Sequence, residues 1–411
     1  MKKNLSLYIS LLCFLLLSSC SPSSSKSQSE SFSDCQKGFM GISGNKIYPS
    51  SDGYYFFAGH YLMFADRHLK ETTFVCNKPE CLHAEEAPEN RINCNAFFLE
   101  PRSLICEDNN LYILGRNLQI KEYDAYSIYK TDIDGNNRSN IYTAKEQMDA
   151  FLLHQGNIYT SELNFTDDNG KLLDNPIVSI HKISLANTKK EDVIFQDDTL
   201  NEGRINRLNC YNHYCYFDLI DFSETMTTES KKINLDTLEI SNSFPFDTAS
   251  TILGKNCIFC EESIENDLTN HTWKSRYWQL DVNGENPVEL TKEFFSVIEK
   301  NAIMLTADDK YVYFHDIDYG ANAVAKEERR FYVYTYDGNL VCEIPFGEIQ
   351  NYIDYYAGDN RYLFIYEKVP VENDDSKIIY RYLDKTKFGK DARFEVLFEG
   401  YQSQYYGTTI Y

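Results

Sequence analysis

Four residues in one short stretch have the types and the spacing to do chemistry. In VCNKPECLHAEEAPENRINCNAFF, residues 75–98, Cys76, Cys81, His83 and Cys94 offer three thiols and an imidazole. That is the donor set of a closed tetrahedral Cys3His zinc site, although the spacing is looser than in familiar zinc modules. The same residues also read as a disulfide between two of the three cysteines with the third free, or as reduced buried thiols in an anaerobic setting. All three readings make the stretch a structural staple, and spacing alone does not choose among them. The expected cofactor content is therefore none, or one structural zinc.

The rest of the chain offers little overt chemistry. It holds 12 cysteines, and an even number remains once Cys13 and Cys20 of the leader are set aside, which permits disulfides without requiring them. Cys210 and Cys215 flank a turn in NCYNHYC, and Cys257 and Cys260 form a CxxC inside a strand pattern. Both pairs read as buried small hydrophobes, since cross-strand pairs seldom reach disulfide geometry and no helix is at hand to depress a thiol pKa. There is no GxSxG, HExxH, Walker loop or GxGxxG, so no catalytic or cofactor-binding residue is assigned. His60, His68, His154, His213 and His315 fall in strand and turn patterns, where packing or exposure explains them. Asp132/Asp134/Asn136 and Asp281/Asn283 offer too few oxygens for calcium and read as hairpin turns.

The elements that must position the cysteine stretch are strands. Residues 302–346 show the repeat unit most clearly: MLTADDKYVYFHDI is a strand, a polar turn at Asp308-Asp309-Lys310 and a second strand, and RFYVYTYDGNLVCEIPF is a hairpin about Asp337-Gly338. The second-strand signal recurs as YYFFAG, LYILG, NIYTSEL, YCYFDLI, NCIFCEE, YVYFHDI and RYLFIYE, each followed by a hairpin. Several of these strands are apolar on consecutive residues, so both sheet faces must be covered, as radial stacking of blades does. The reading is all-β, a propeller of seven four-stranded blades, with six or eight as alternatives. Blade 1 lacks an obvious innermost strand unless residues 38–48 or the C-terminal 405–411 supply it. Residues 289–300 are the best helical candidate, as a brief connector.

The ends of the chain speak to address. Lys2 and Lys3 precede the apolar run Leu5–Leu17, which is too short to span a bilayer comfortably. The run ends in Leu17-Ser18-Ser19-Cys20, which resembles the lipobox of bacterial lipoproteins. That resemblance implies a signal peptide over residues 1–19 and lipidation of Cys20; the Ser-rich composition of 20–34 reads as a tether, and 35–411, with no second low-complexity linker, as one propeller domain. The lipobox resemblance also implies placement on the outer face of the cytoplasmic membrane. The pattern Cys-Asn-Lys-Pro-x-Cys-x-His…Cys-Asn-Ala-Phe behind such a leader, with the Asp132-Ile133-Asp134-Gly135-Asn136 turn, resembles uncharacterised β-propeller lipoproteins of Gram-positive bacteria, similar to TolB-like repeat domains. The likeness implies a fold and no activity.

A formal net charge of −22 makes nucleic acid a poor partner. The expected partner is an extracellular peptide, glycan or protein, with membrane contact through the lipid alone and the chain a monomer. The favoured function is a binding or scaffold module, the alternative a hydrolase or lyase acting on extracellular polymers. Loops 164–175, 223–230, 318–328 and 370–376 all join second to third strands and so share one end of the ring. Tyr319, Asp167, Asp168, Asp318, Glu372, Asp374 and Asp375 would then share a rim.

Overall fold

The structure is a computed structural model that describes residues 46–402, apart from 82, 84–92, 118–124, 168, 201–202, 223–226, 245–247, 255, 268–271, 301, 317–322, 348, 350–352, 357 and 372–375. The leader, Cys20, the Ser-rich tether and residues 405–411 lie outside the described residues, as do Asp168, Asp318, Tyr319, Glu372, Asp374 and Asp375 of the expected rim. Among the described residues no helix is long and apolar enough to cross a membrane.

The described chain forms seven four-stranded antiparallel sheets, each built from four consecutive strands in simple up-and-down order. This is the expected seven-bladed propeller. The blades occupy residues 47–74, 103–143, 147–197, 203–242, 248–290, 302–345 and 353–402. The first strands of blades 1 and 2, 2 and 3, 3 and 4, 5 and 6, and 6 and 7 approach one another, which puts the first strand of each blade at the axis. Blade 1 takes its innermost strand from Ile47–Pro49, so of the two expected sources it is the segment before blade 1 that serves. Residues 289–300 are not one helical connector: Val288–Leu290 is the outer strand of blade 5 and only Ser296–Lys300 is a short 3-10 turn.

The consecutive apolar residues of the second strands have a direct cause. Successive strand side chains point to opposite faces, and here each face meets a different neighbour. In Gly53–Ala58, Tyr54 and Phe56 pack with blade 7, while Tyr55 and Phe57 pack with blade 2. In Asn110–Arg116, Leu111 and Ile113 pack with blade 1, while Tyr112 and Leu114 pack with blade 3. Tyr362, Phe364 and Tyr366 join the seam with blade 1, while Leu363 and Ile365 join the seam with blade 6.

Closure of the ring is non-covalent. Tyr54 packs edge-on to Phe364 with ring centroids 4.9 Å apart, and Phe56 meets Tyr380 at 5.1 Å. The Tyr380 hydroxyl donates to the Phe57 carbonyl at 2.7 Å and the Tyr54 hydroxyl to Asp359 Oδ2 at 2.7 Å. Phe56 and Tyr380 are fully buried. Phe56→Ala is expected to cost ~3–5 kcal/mol by leaving a cavity, and Tyr380→Phe ~1–2 kcal/mol through one lost buried hydrogen bond. Urea unfolding of each variant against the parent measures both, and equal small losses would contradict the seam as described.

Candidate metal centre

The site is assembled where blade 1 runs out of sheet. Its outer strand, Thr72–Phe74, is three exposed residues long. Beyond it Val75 N donates to Leu62 O at 2.9 Å and Cys76 N to Phe74 O at 2.9 Å, so the chain bends back at the sheet edge. Asn77-Lys78-Pro79-Glu80 then turn, with Cys81 N donating to Lys78 O at 3.1 Å. The returning segment locks onto the start of the third strand, Tyr61–Asp66: Leu62 N donates to Ala96 O at 2.7 Å and Phe98 N to His60 O at 2.8 Å.

These bends bring the four expected ligands together. One ligand atom from each of Cys76, Cys81, His83 and Cys94 lies within 4.8 Å of all the others. Cys94 is buried and the other three are half-buried. The His83 ring lies flat on Phe74, centroids 4.1 Å apart and planes 3° from parallel, with the edge of Tyr61 at 5.8 Å. Its Nε2 is buried and has no hydrogen-bond partner.

The electrostatics suit a thiolate centre. Burial pushes the Cys76 thiol up, but the backbone N–H groups of Lys78 and Asn95 and the Cys94 and Cys81 thiols outweigh it and leave the group below its ordinary value. Cys94 is pushed up to about 12, first by burial and then by its sulfur neighbour Cys81. Burial lowers His83, which keeps the imidazole neutral, the form that binds metals. Blade 2 contributes a cation: Arg138 donates to the carbonyls of Phe97 and Cys94, and its guanidinium lies 4.7 Å over the Phe98 ring. The Asp132–Asn136 turn of blade 2 abuts the same loop. Gly135 sits at φ 81° with room for no side chain, since a Cβ there would stand 2.6 Å from Val75 O, and Asn136 accepts from Asn95 Nδ2 at 3.0 Å.

The donor set can be compared with each of the readings left open by spacing. A disulfide would use two of the sulfurs and leave His83 Nε2 buried and unsatisfied, at a cost of ~1–3 kcal/mol. A tetrahedral ion uses all four ligand atoms. Bonds of ~2.3 Å to sulfur and ~2.0 Å to nitrogen require ligand atoms ~3.5–3.8 Å apart, so a contraction of no more than ~1.3 Å completes the shell. The nine described cysteines are all free thiols. The residues therefore fit zinc, and with four protein ligands no coordination position is left for a substrate.

The remaining expected candidates separate into packing and turn chemistry. Cys210 and Cys215 face each other across a hairpin and both are buried. Burial raises the Cys257 thiol to about 11 and pushes Cys260 well above its ordinary value. His60 is buried against the Phe98 carbonyl, and His154 reaches across to Asn212 O at 2.7 Å in blade 4. Asp134 accepts from Asn136 N and Nδ2, and Asp281 accepts from Asn283 N, Glu285 N and Asn286 Nδ2, so their carboxylates serve their own turns. Asp167, the described member of the expected rim, likewise accepts from Asn169 N and Lys171 N. The strands also run further into two of the loops than expected, to Thr166 and from Thr227.

One cluster was invisible in the sequence because its members come from four strands. Tyr142 of blade 2 donates to Glu162 Oε1 at 2.7 Å and to Glu191 Oε1 at 2.9 Å in blade 3. His181 bonds Glu191 through Nδ1 and Ser179 Oγ through Nε2, the latter at 2.8 Å. A serine, a histidine and a glutamate in line resemble a nucleophilic triad. Ser179 is only 2% exposed, however, and the Glu162 carboxylate lies 3.8 Å from the same Nε2, an environment that opposes a developing oxyanion.

No protein-family model and no curated protein matches the chain. Among solved structures it is similar to the tricorn protease, with TM-score 0.46, 10% identity, 90% of this chain covered and 36% of that one. The β-propeller domain of the Trilobed protease from Pyrococcus furiosus gives TM-score 0.42 and 10% identity over 73% of this chain and 96% of that one. A putative TolB from Agrobacterium tumefaciens gives 0.33 and 11% over 62% and 88%. The chain thus spans about a third of the tricorn protease. Its own seven sheets establish the propeller.

Protein purified without chelator is expected to carry about one zinc per chain. Cys81→Ser should lose the metal and lower Tm by several degrees, and chelation of the parent should produce the same shift, reversed by added zinc. Metal analysis with calorimetry checks this, and a metal-free parent with the Tm of Cys81→Ser would contradict it.

Proposed function

We propose that this chain is a lipid-anchored extracytoplasmic binding or scaffold propeller, its first two blades stapled by a structural zinc on Cys76, Cys81, His83 and Cys94. Its partner is an extracellular peptide, glycan or protein. The resemblance to Gram-positive propeller lipoproteins supports the address, through the leader and Cys20.

The observation that carries binding over catalysis is the state of the buried acids on the second strands. Glu162 accepts from Tyr142 and Thr160, Asp218 from Ser230, Asp316 from Arg330 N and Tyr332, and Glu367 pairs with Arg381 at 3.0 Å. Each of these four carboxylates is engaged within its own blade or by its neighbour; Glu162 shares its partner, the Tyr142 hydroxyl, with a second acid, Glu191, and a general acid–base pair would need such neighbours to face a substrate. Blade junctions also open into clefts of ligand size. One of about 470 Å³ between blades 1 and 2 is lined by Tyr48, Tyr55, Asp52, Glu107 and Asp108, and suits cationic or hydroxyl-rich ligands.

The second reading, a hydrolase or lyase of extracellular polymers, is favoured by one feature, the Ser179–His181–Glu191 line. Incubation of the purified full chain with immobilised glycans and peptides separates the two. Retention without product supports binding. Product release that Ser179→Ala abolishes would establish the hydrolase instead. For the address, Cys20→Ala is expected to move the protein from the membrane fraction to the medium, and equal membrane partition of variant and parent would contradict the anchor.

A further inference from the structure

Around the axis, within or one residue ahead of the innermost strands of blades 7, 1, 2 and 3, stand Asp354, Lys46, Arg102 and Asp149 in that order. Lys46 and Arg102 occupy matching places, each one residue ahead of its blade's first strand and each extending the pairing of that strand: Phe57 N donates to Lys46 O, and Arg102 N donates to Leu114 O. The two side chains are neighbours, since Lys46 Nζ donates to the Pro101 carbonyl at 3.4 Å, the peptide oxygen just before Arg102.

Their charges are unequally answered. Arg102 is anchored on three sides: Met148 O at 3.3 Å, Asp149 at 3.6 Å and the face of Tyr126 at 3.9 Å. Lys46 has a long bond to one carbonyl and a distant ring, Tyr366, at 5.9 Å. Loss of solvation pushes its amine down to about 8; Asp354 works against that, while Arg102 and Lys368 add to it. Three cations, Lys46, Arg102 and Lys368, thus share a neighbourhood with two acids, Asp149 and Asp354, in a protein whose formal charge is −22. Lys46 as a residue is half-buried. A charge held at a half-buried position where solvation is poor, next to like charges, weakens the fold unless a ligand completes it.

We propose that Lys46 and Arg102 form an anion site at the axis of the ring, and that it takes a carboxylate-bearing small molecule. The imbalance is a single positive charge, which a monoanionic carboxylate neutralises and a phosphate dianion would overshoot. A carboxylate also offers two oxygens, one for the ammonium and one for the guanidinium N–H groups that Asp149 leaves over. This site is separate from the junction clefts and from any polymer binding, so its failure leaves the binding reading standing, and the reverse holds too.

The test uses the full chain and sodium glucuronate as the probe, at constant ionic strength. Acetylation of lysines at pH 8, mapped by mass spectrometry, is expected to find Lys46 reactive and to slow there about tenfold at saturating glucuronate. The neutral methyl ester of glucuronate should not protect it. Protection by inorganic phosphate equal to that by glucuronate would overturn the carboxylate assignment, and a Lys46 that does not react, or reacts equally with and without glucuronate, would overturn the site. Lys46→Met supplies a second reading. Because the amine is lowered in the folded protein, its cost is present in full below about pH 8 and disappears as pH rises toward the ordinary lysine value of 10.5. At pH 7 the variant should melt about 2 °C or more above the parent, with the gap closing above pH 8, and should lose any rise in Tm caused by glucuronate. A variant that melts lower than the parent at pH 7 would make Lys46 a structural residue and sink the proposal.

Discussion

Every sheet in this molecule must bury both of its faces at once, and the rest of the structure follows from that requirement. A strand such as Tyr362-Leu363-Phe364-Ile365-Tyr366 sends alternate side chains into two different seams, so removing one neighbour would expose half the apolar residues of a blade. At ~25 cal/mol per Å² of apolar area, a seam of a dozen buried side chains is worth far more than any polar contact across it. The ring therefore has to close, and blades 1 and 7 close it with aromatic rings and with hydroxyls aimed at specific oxygens.

The weak point in that arrangement is the outer edge of blade 1. Its fourth strand is three exposed residues, too short to cover the flank that faces blade 2. The segments on either side of the cysteine turn pack there through Val75, Cys94, Ala96, Phe97, Phe98 and Leu99. A four-ligand metal centre on Cys76, Cys81, His83 and Cys94 would add ordering energy there, and Arg138 and the Gly135 turn tie Val75, Cys94 and Phe97 to blade 2. The ligands belong to blade 1's loop while the cation beside them belongs to blade 2, so the centre acts on the junction as a whole.

Much of this was readable from the residues. Second strands announce themselves because two-sided burial forces continuous apolar runs, and each of the seven runs picked out by that pattern is the second strand of a blade. The Cys76, Cys81, His83 and Cys94 cluster was readable because its members are close in sequence. What escaped depended on contacts between distant segments. Residues 38–48 were one of two candidate sources for the innermost strand of blade 1, and the choice between them rested on the pairing of Ile47–Pro49 with Tyr54–Phe56. His181 drew no notice as one histidine in SIHKIS, and gains meaning only from Glu162, Glu191 and Tyr142 on other strands. Lys46 has no sequence signature at all, because its low amine basicity comes from burial at the axis and from Arg102 and Lys368 in other blades.

The central claim is that Cys76, Cys81, His83 and Cys94 close a structural zinc site and thereby hold the junction of blades 1 and 2. X-ray absorption at the zinc edge of the purified protein tests it most directly. The account predicts a shell of three sulfurs at ~2.3 Å and one nitrogen at ~2.0 Å with no water; a shell containing an exchangeable oxygen, or fewer than three sulfurs, would contradict it.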